Sequence, residues 1–340
     1  MSEITFVDGF AGAGGLSLGL HQVGLRSLLA FDNDPVACQT LERNLGGRVV
    51  NGSLSSIDPQ VLKHDLGVPD VVVGGPPCQG FSTQRRGERG DVRNDLVTQY
   101  FEFALAIRPR AIIMENVPGV LGARGHGHMS EVFSMLDDSG YRVDHRVVDT
   151  ATLGVPQRRR RAIIAAWDPD RALPFDFDAL TAVRPSRTVR DAISDLPSPP
   201  EDYSEHPRFA NHVRVRMHEI NLRRISYVPP GGGRLDIPEH LQMACHRDSD
   251  HRHLDVFGRL QWDQPAGTIT AMFDNFTRGR FAHPAEDRNI TNREGARLQS
   301  FPDDYVFAGA KKQVARQIGN AVPPMLARSI GQQVIRQLQG

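Results

Sequence analysis

Three stretches of this 340-residue chain hold side chains whose chemistry goes beyond packing. The first is DVVVGGPPCQGFS, residues 70–82, a hydrophobic run that breaks into two glycines, two prolines and then Cys78. The prolines fix the backbone before the thiol and a glycine after it opens space, a platform suited to a thiolate nucleophile. A free cysteine is also commonly a small buried hydrophobe, and Cys78 taken alone fits that description. A metal site has little support without a second cysteine nearby, and the C-x-x-C pattern of a redox pair is absent. The second stretch is MENVP, residues 114–118. If its strand lies beside that of Cys78, Glu115 reaches the same sheet edge, where a glutamate can serve as an acid. The third is QRRRR, residues 157–161, directly before another strand-like run, so that alternate side chains could face one site.

A fourth feature concerns a ligand. FAGAGG, residues 10–15, follows one strand-like run and precedes an amphipathic pattern, so the backbone can approach a bound molecule closely. About 20 residues later FDND, residues 31–34, ends the next run, and an acidic residue there can accept from ribose hydroxyls. The loop lacks the last spaced glycine of G-x-G-x-x-G, since Gly12, Gly14 and Gly15 lead into Leu16. A nucleoside cofactor without a pyrophosphate is therefore favoured over NAD or FAD, against the simpler reading of glycines used for tight helix–strand packing.

These groups need a scaffold, and the first half of the chain reads as one. Strand-like runs at 4–7, 28–31, 48–50, 71–73, 112–114, 143–148 and 162–166 alternate with helical spacing, as in Leu16, Leu20, Val23 and in Leu96, Tyr100, Phe103, Ile107. That alternation predicts an α/β, doubly wound sheet whose ligands sit beyond the carboxyl ends of its strands. After about Ala182 prolines crowd in, the periodicity shortens, and PPGGG at 229–233 interrupts the chain. A smaller, loop-rich domain is expected there, with AGTITAM (266–272) as its clearest strand. Past Phe301 a helical tail returns to the first domain, which makes the second an insertion.

Composition bounds the function classes. With 39% hydrophobic and 24% charged residues and no long apolar run, the chain reads as a globular protein without a membrane span or signal peptide. Its three cysteines are widely spaced, which points to a reducing, intracellular setting rather than a disulfide framework. Formal charge is zero, with 40 basic and 40 acidic residues. Arginine is nevertheless clustered, at Arg85, Arg86, Arg89 and Arg93 and again at 158–161. Such clusters suit phosphates and base edges, or form a solvated face.

GPPCQGFS, MENVPG, VPQRRRR, REGARLQSFP and GNAVPP follow FAGAGG in that order. With them the chain resembles the DNA (cytosine-5) methyltransferases over nearly its whole length. The resemblance implies a Rossmann-like S-adenosylmethionine-dependent fold. The catalytic and cofactor domain would span 1–183, the target-recognition domain 184–302, and the returning segment 303–340. It implies that Cys78 adds to C6 of a cytosine flipped out of double-stranded DNA, and that Glu115 binds ring N3 and the exocyclic amine. Arg159 and Arg161 match positions that contact the flipped nucleotide and neighbouring phosphates, Gln157 organises their loop, and Asn116 anchors the loop carrying Glu115. Phe10, Ala13, Gly15, Asp32, Pro77, Leu96, Phe301, Asn320 and Val322 match positions lining the pocket of S-adenosylmethionine, which leaves as S-adenosylhomocysteine. No metal is expected.

Asp32 stands where the family often has glutamate, and Ser53 where it usually has an aspartate that bonds the adenine amine. Groove-facing candidates are the Arg- and Gly-rich stretches 221–224, 229–234 and 274–280. Cys245, His246, His251 and His253 match no familiar zinc spacing. A tRNA methyltransferase is disfavoured because no Cys-Phe-Thr follows in the target domain, and a silent DNA-binding relative because Cys78 and Glu115 are both present. The expected protein is a cytoplasmic, nucleoid-associated monomer of bacterial or phage type, paired with a restriction nuclease or another defence protein.

Overall fold

The structure is a computed structural model that describes residues 3–77, 95–123, 125–181, 185–243 and 254–339. The chain divides into two compact units, the first comprising Met1–Leu153, Arg160–Arg184 and Val322–Gly340, the second Gly154–Arg159 and Pro185–Ala321.

In the first unit every strand expected from the sequence is present. They are β1 (Thr5–Gly9), β2 (Arg26–Asp32), β3 (Val49–Asn51), β4 (Val71–Gly74), β5 (Ala111–Asn116), β6 (Arg142–Asp149) and β7 (Arg160–Trp167). Helices α1 (Gly15–His21), α2 (Pro35–Leu45), α3 (Pro59–Leu66), α4 (Asp95–Ile107), α5 (His126–Asp138) and α6 (Phe177–Leu180) lie between and after them. The seven strands order as β3-β2-β1-β4-β5-β7-β6, with β1 to β5 mutually parallel and β7 antiparallel to both neighbours. The order reverses direction between β1 and β4, so their carboxyl ends flank the crevice where this fold binds ligands. The VVV of β4 is fully buried, as a central parallel strand covered on both faces requires. In β1, Phe6 enters the core with Leu16 and Leu20, while Val7 joins Phe101 and Ile107 on the opposite face. The starts of α2 and α3 are set by Asp34 and Asp58, whose carboxylates accept from the first helical N–H groups ahead of a proline at the first position.

The second unit holds little regular structure: α7 (Val189–Ile193), α8 (Glu219–Ile225), the short parallel pair β8 (Gly258–Arg259) and β9 (Arg280–Ala282), α9 (Asn292–Leu298) and α10 (Lys311–Asn320). Buried carbonyls still need donors, and arginine side chains supply them. Arg293, fully buried, donates to the carbonyls of Ala210, Pro302 and Tyr305, and Arg259 to those of Val228, Ile225 and His283. Arg288 joins the carboxylates of Glu286 and Glu294 at 2.9 and 2.8 Å. Burial opposes the charge on Glu294, but Arg288 outweighs it and draws the carboxyl down to about 2.

AGTITAM is not a strand. Ala266 makes a single bridge to Gln157, and the backbone groups of Ile269 are taken by side chains, which stops a ladder from propagating. The chain then re-enters the first unit as α11 (Pro324–Gln339), whose Leu326, Ala327, Ile330 and Val334 complete the core around α1. The two helices touch so closely that a Cβ on Gly19 would lie 2.4 Å from that of Ala327.

Candidate active site

The two glycines after VVV are set by their surroundings. A Cβ on Gly74 would stand 2.5 Å from the carbonyl oxygen of Gly9 and 2.7 Å from the ring of Tyr100. Tyr100, on α4, is fully buried, and its hydroxyl lies 2.8 Å from the carbonyl of Ile113 and 3.3 Å from that of Val72. It locks β4 to β5 near their ends. A Cβ on Gly75 would meet Glu115 Oε2 at 3.6 Å, so the glutamate lies against the backbone that leads into the two prolines. Asn116 donates from its amide to the carbonyl of Pro76 at 3.0 Å and accepts from the N–H of Val117 at 2.8 Å. It therefore ties the exit of β5 to the exit of β4. Cys78 lies outside the described residues, as do Arg85, Arg86, Arg89, Arg93, Cys245, His246, His251 and His253.

Strand order brings the next pair together. β7 runs antiparallel to β5, so its start meets the end of β5. There Arg161 Nε lies 2.7 Å from Glu115 Oε1, both side chains being largely buried. The other end of the guanidinium donates to the carbonyl of Arg160 at 2.7 Å. Exposure alternates along the run, with Arg158 and Arg160 outward and Arg159 and Arg161 inward.

Arg159 belongs to the second unit and is 3% exposed. Its guanidinium donates to the carbonyls of Ile269 at 3.0 Å, Gly319 at 2.9 Å and Ala321 at 3.2 Å. Gln157, fully buried, accepts from the N–H of Ile269 at 2.7 Å and donates to Gln299 Oε1 at 2.8 Å, and Gln299 in turn donates to the carbonyl of Ile318. The two motif side chains thus hold both sides of the Ile269 residue and the end of α10. For Arg159→Ala the expected outcome is a loss of about 2 kcal/mol or more from buried carbonyls left without donors. A lower urea midpoint for the second unit's transition measures it, and Arg159→Lys recovers only part, having no planar fork.

The glycine loop is tied to the end of β2. Asp32 accepts from the N–H of Gly12 on Oδ2 and from that of Asp34 on Oδ1, both at 2.8 Å. Burial, opposed by these bonds, raises its pKa. Asp34 is occupied as the cap of α2, which leaves Asp32 as the strand-end carboxylate of FDND. Phe10, at φ 58°, adopts the left-handed backbone that leads into Gly12 (φ 54°), where a Cβ would meet nothing within 4 Å. Such strain in a non-glycine residue is typical of ligand-binding turns. Ala13 and Gly15 are buried in the turn, while Pro77 and Leu96 are half-buried on either side of the segment outside the described residues. Ser53 pairs with Ser55 at 2.9 Å, hydroxyl to hydroxyl. Val322 is in the first unit's core. Phe301 packs with Tyr305 and Phe307 inside the second unit, and Asn320 ends α10 with its side chain exposed.

Two further residues shape this region. In the sequence Tyr100 is one position of the helical stripe Leu96, Tyr100, Phe103, Ile107. Asp8 is fully buried in β1, where a carboxylate in the apolar TFVDG was a legible signal. Conversely, several arginines of the expected groove-facing stretches point inward. Arg224 donates to the carbonyl of Leu241 and to Asn221, Arg280 to the carbonyl of Arg259 and to Asp255, and Arg234 is buried. Arg223 and Arg278 remain exposed. Among the described residues no group of three or more His, Cys, Asp or Glu is placed to hold a metal ion, and no helix is long and apolar enough to cross a membrane.

A profile of the C-5 cytosine-specific DNA methylases matches residues 4–336. Type II methylase M.HgiDII of Herpetosiphon aurantiacus is 36% identical over 98% of this chain and 96% of its own length. Type II methyltransferase M.AgeI of Thalassovita gelatinovora is 32% identical over 96% and 98% respectively. Among solved structures, one described as a DNA modification methyltransferase encoded within an E. coli prophage superposes with a TM-score of 0.79 at 23% identity, covering 99% of this chain and 100% of that one. Match length and identity agree with the sheet order and with the motifs placed along it, and the chain belongs to the C-5 cytosine-specific DNA methylase family.

Proposed function

We propose that this DNA (cytosine-5) methyltransferase works by covalent catalysis on a cytosine flipped out of double-stranded DNA, with Cys78 as nucleophile and S-adenosylmethionine as methyl donor. The observation that carries the reading is the Glu115–Arg161 pair, set against Gly75 and tied through Asn116 to Pro76, two residues before Cys78.

The chemistry explains why such a pair is useful. C5 of cytosine is a weak nucleophile until C6 is saturated. The Cys78 thiolate adds to C6, and the electron pair displaced from the 5,6 double bond makes C5 enamine-like while charge develops at N3 and O2. Glu115, placed to hydrogen-bond N3 and the exocyclic amine, stabilises that charge, and Arg161 fixes the carboxyl in place. After C5 is substituted, loss of its proton expels Cys78 and restores the ring. Reaching the base requires its extrusion from the duplex, at a cost of a few kcal/mol.

For the cofactor, the donor set fits a nucleoside bearing a cationic sulfur. Asp32 offers a strand-end carboxylate to ribose hydroxyls, and the open side of Gly12 allows close backbone approach. Pro77, Leu96 and Val322 of the first unit are assigned to the same pocket on the family pattern. When bound, S-adenosylmethionine supplies an electrophilic methyl group. The relatives' names, Type II methyltransferases, support pairing with a restriction nuclease that cuts the same sequence. A cytoplasmic monomer suits that role.

The test is incubation with S-adenosylmethionine and a library of duplexes carrying 5-fluorocytosine, beside a fluorinated tRNA transcript. Fluorine cannot leave C5 as a proton does, so the Cys78–DNA bond persists and a denaturation-resistant complex is expected on duplex DNA alone. No complex on any duplex removes the proposal, and a complex confined to tRNA transfers it to the other substrate.

A further inference from the structure

Asp8 sits two residues before the glycine loop, with Gly9 between them. Its Oδ2 accepts from Ser17 Oγ of α1 at 2.6 Å, whereas Oδ1 is buried and meets no hydrogen-bond donor among the described residues. Among the described residues the groups around it provide no compensating cation. Asp32 of β2 adds repulsion, Tyr100 of α4 is neutral with a pKa raised by burial, and β4 presents only valines and glycine. Farther along α1, His21 lies edge-on to Phe6, and burial lowers its pKa. Burial, partly opposed by the Ser17 bond, pushes Asp8 up to about 7. A fully buried carboxyl with one orphaned oxygen, adjoining a loop that takes a cationic ligand, is built to respond to the charge of that ligand.

We propose that Asp8 senses the charge of the sulfur in the cofactor, standing as a carboxylate beneath the sulfonium of S-adenosylmethionine and as a neutral acid beneath the thioether of S-adenosylhomocysteine. This rests on the cofactor reading above. Binding the sulfonium form releases a proton from Asp8 to solvent. Methyl transfer turns the sulfonium into a neutral thioether, and Asp8 takes a proton back. The same carboxyl then favours the donor over the spent product, which shortens the product's residence.

Calorimetric titration of the full chain with each compound, in phosphate and in Tris at pH 7, reads the proton directly. About half a proton is expected to be released per S-adenosylmethionine bound, from a group near its midpoint, and up to about half a proton taken up with S-adenosylhomocysteine. The sign follows from linkage. Binding that favours the deprotonated form strengthens as pH rises, so affinity for S-adenosylmethionine gains up to about 10-fold from pH 6 to 8. Asp8→Asn keeps the acceptor for Ser17 but cannot ionise, and serves as control for titration of the ligands' own amino groups. It should still bind S-adenosylhomocysteine, lose the extra proton and pH gain, and show a smaller preference for the sulfonium form. Equal proton release from both compounds in the native chain, or an unchanged preference in Asp8→Asn, overturns the proposal while leaving the cofactor assignment standing. If neither compound binds the native chain, the cofactor assignment fails and the proposal with it.

Discussion

Cys78→Ala is expected to lower methyl transfer by at least about 10⁴-fold while duplex DNA and S-adenosylhomocysteine still bind. Without addition at C6, neither Glu115 nor Arg161 has developing charge to stabilise, so their contributions vanish together with the thiol. The readouts are single-turnover transfer of a labelled methyl group and the 5-fluorocytosine complex, which should be absent. Cys78→Ser separates loss of the nucleophile from loss of shape, since a hydroxyl fills similar space but ionises far less readily. A complex that survives Cys78→Ala would mean that another thiol attacks. Cys38 is a poor candidate: it is buried, its Sγ lies 3.3 Å from the carbonyl of Asp32, and burial raises its pKa further from the thiolate range.

The second large effect falls on the acid and its arginine. Glu115→Gln keeps the shape and the contact with Gly75 but removes the ionisable carboxyl, and a loss of about 10²- to 10⁴-fold in kcat is expected, with some loss of stability because Arg161 is left without its counter-charge. Arg161→Ala should cost both. It leaves a largely buried carboxylate without its cation, for which about 3 kcal/mol of stability is a reasonable loss, visible as a lower urea midpoint. The double variant Glu115→Gln/Arg161→Ala should recover much of that stability, because the stranded charge is gone, yet remain as slow as the slower single variant. Additive losses in both quantities would mean that the two side chains act independently, contrary to their 2.7 Å contact.

How far the sequence alone reached depended on whether a signal was local. The strands of the first unit were readable because each combines a short apolar run with a helical pattern behind it. Their order then follows the rule for doubly wound sheets, and the meeting of Glu115 with Arg161 follows from that order. AGTITAM misled because alternation of Thr and Ile describes a strand equally well as a segment whose backbone is held by Gln157 and Arg159. Nothing in the letters distinguishes the two. The arginines of the second unit illustrate the same limit. Composition shows that they are numerous, but Arg224, Arg259, Arg280 and Arg293 turn inward because loops without ladders leave carbonyls needing donors. That need appears only once the loops are folded. Asp8 is the opposite case, a carboxyl inside an apolar strand that is legible from the letters alone.

The packing of α11 on α1 has a consequence for the order of events during synthesis. Leu16 and Leu20 wait for partners that the ribosome delivers roughly 300 residues later, in Leu326, Ile330 and Val334. Until those residues emerge, the nascent chain carries an open apolar face beside its glycine loop, a species prone to stick to others of its kind. A prematurely terminated product that stops before Pro324 should therefore be cleared by proteases rather than persist.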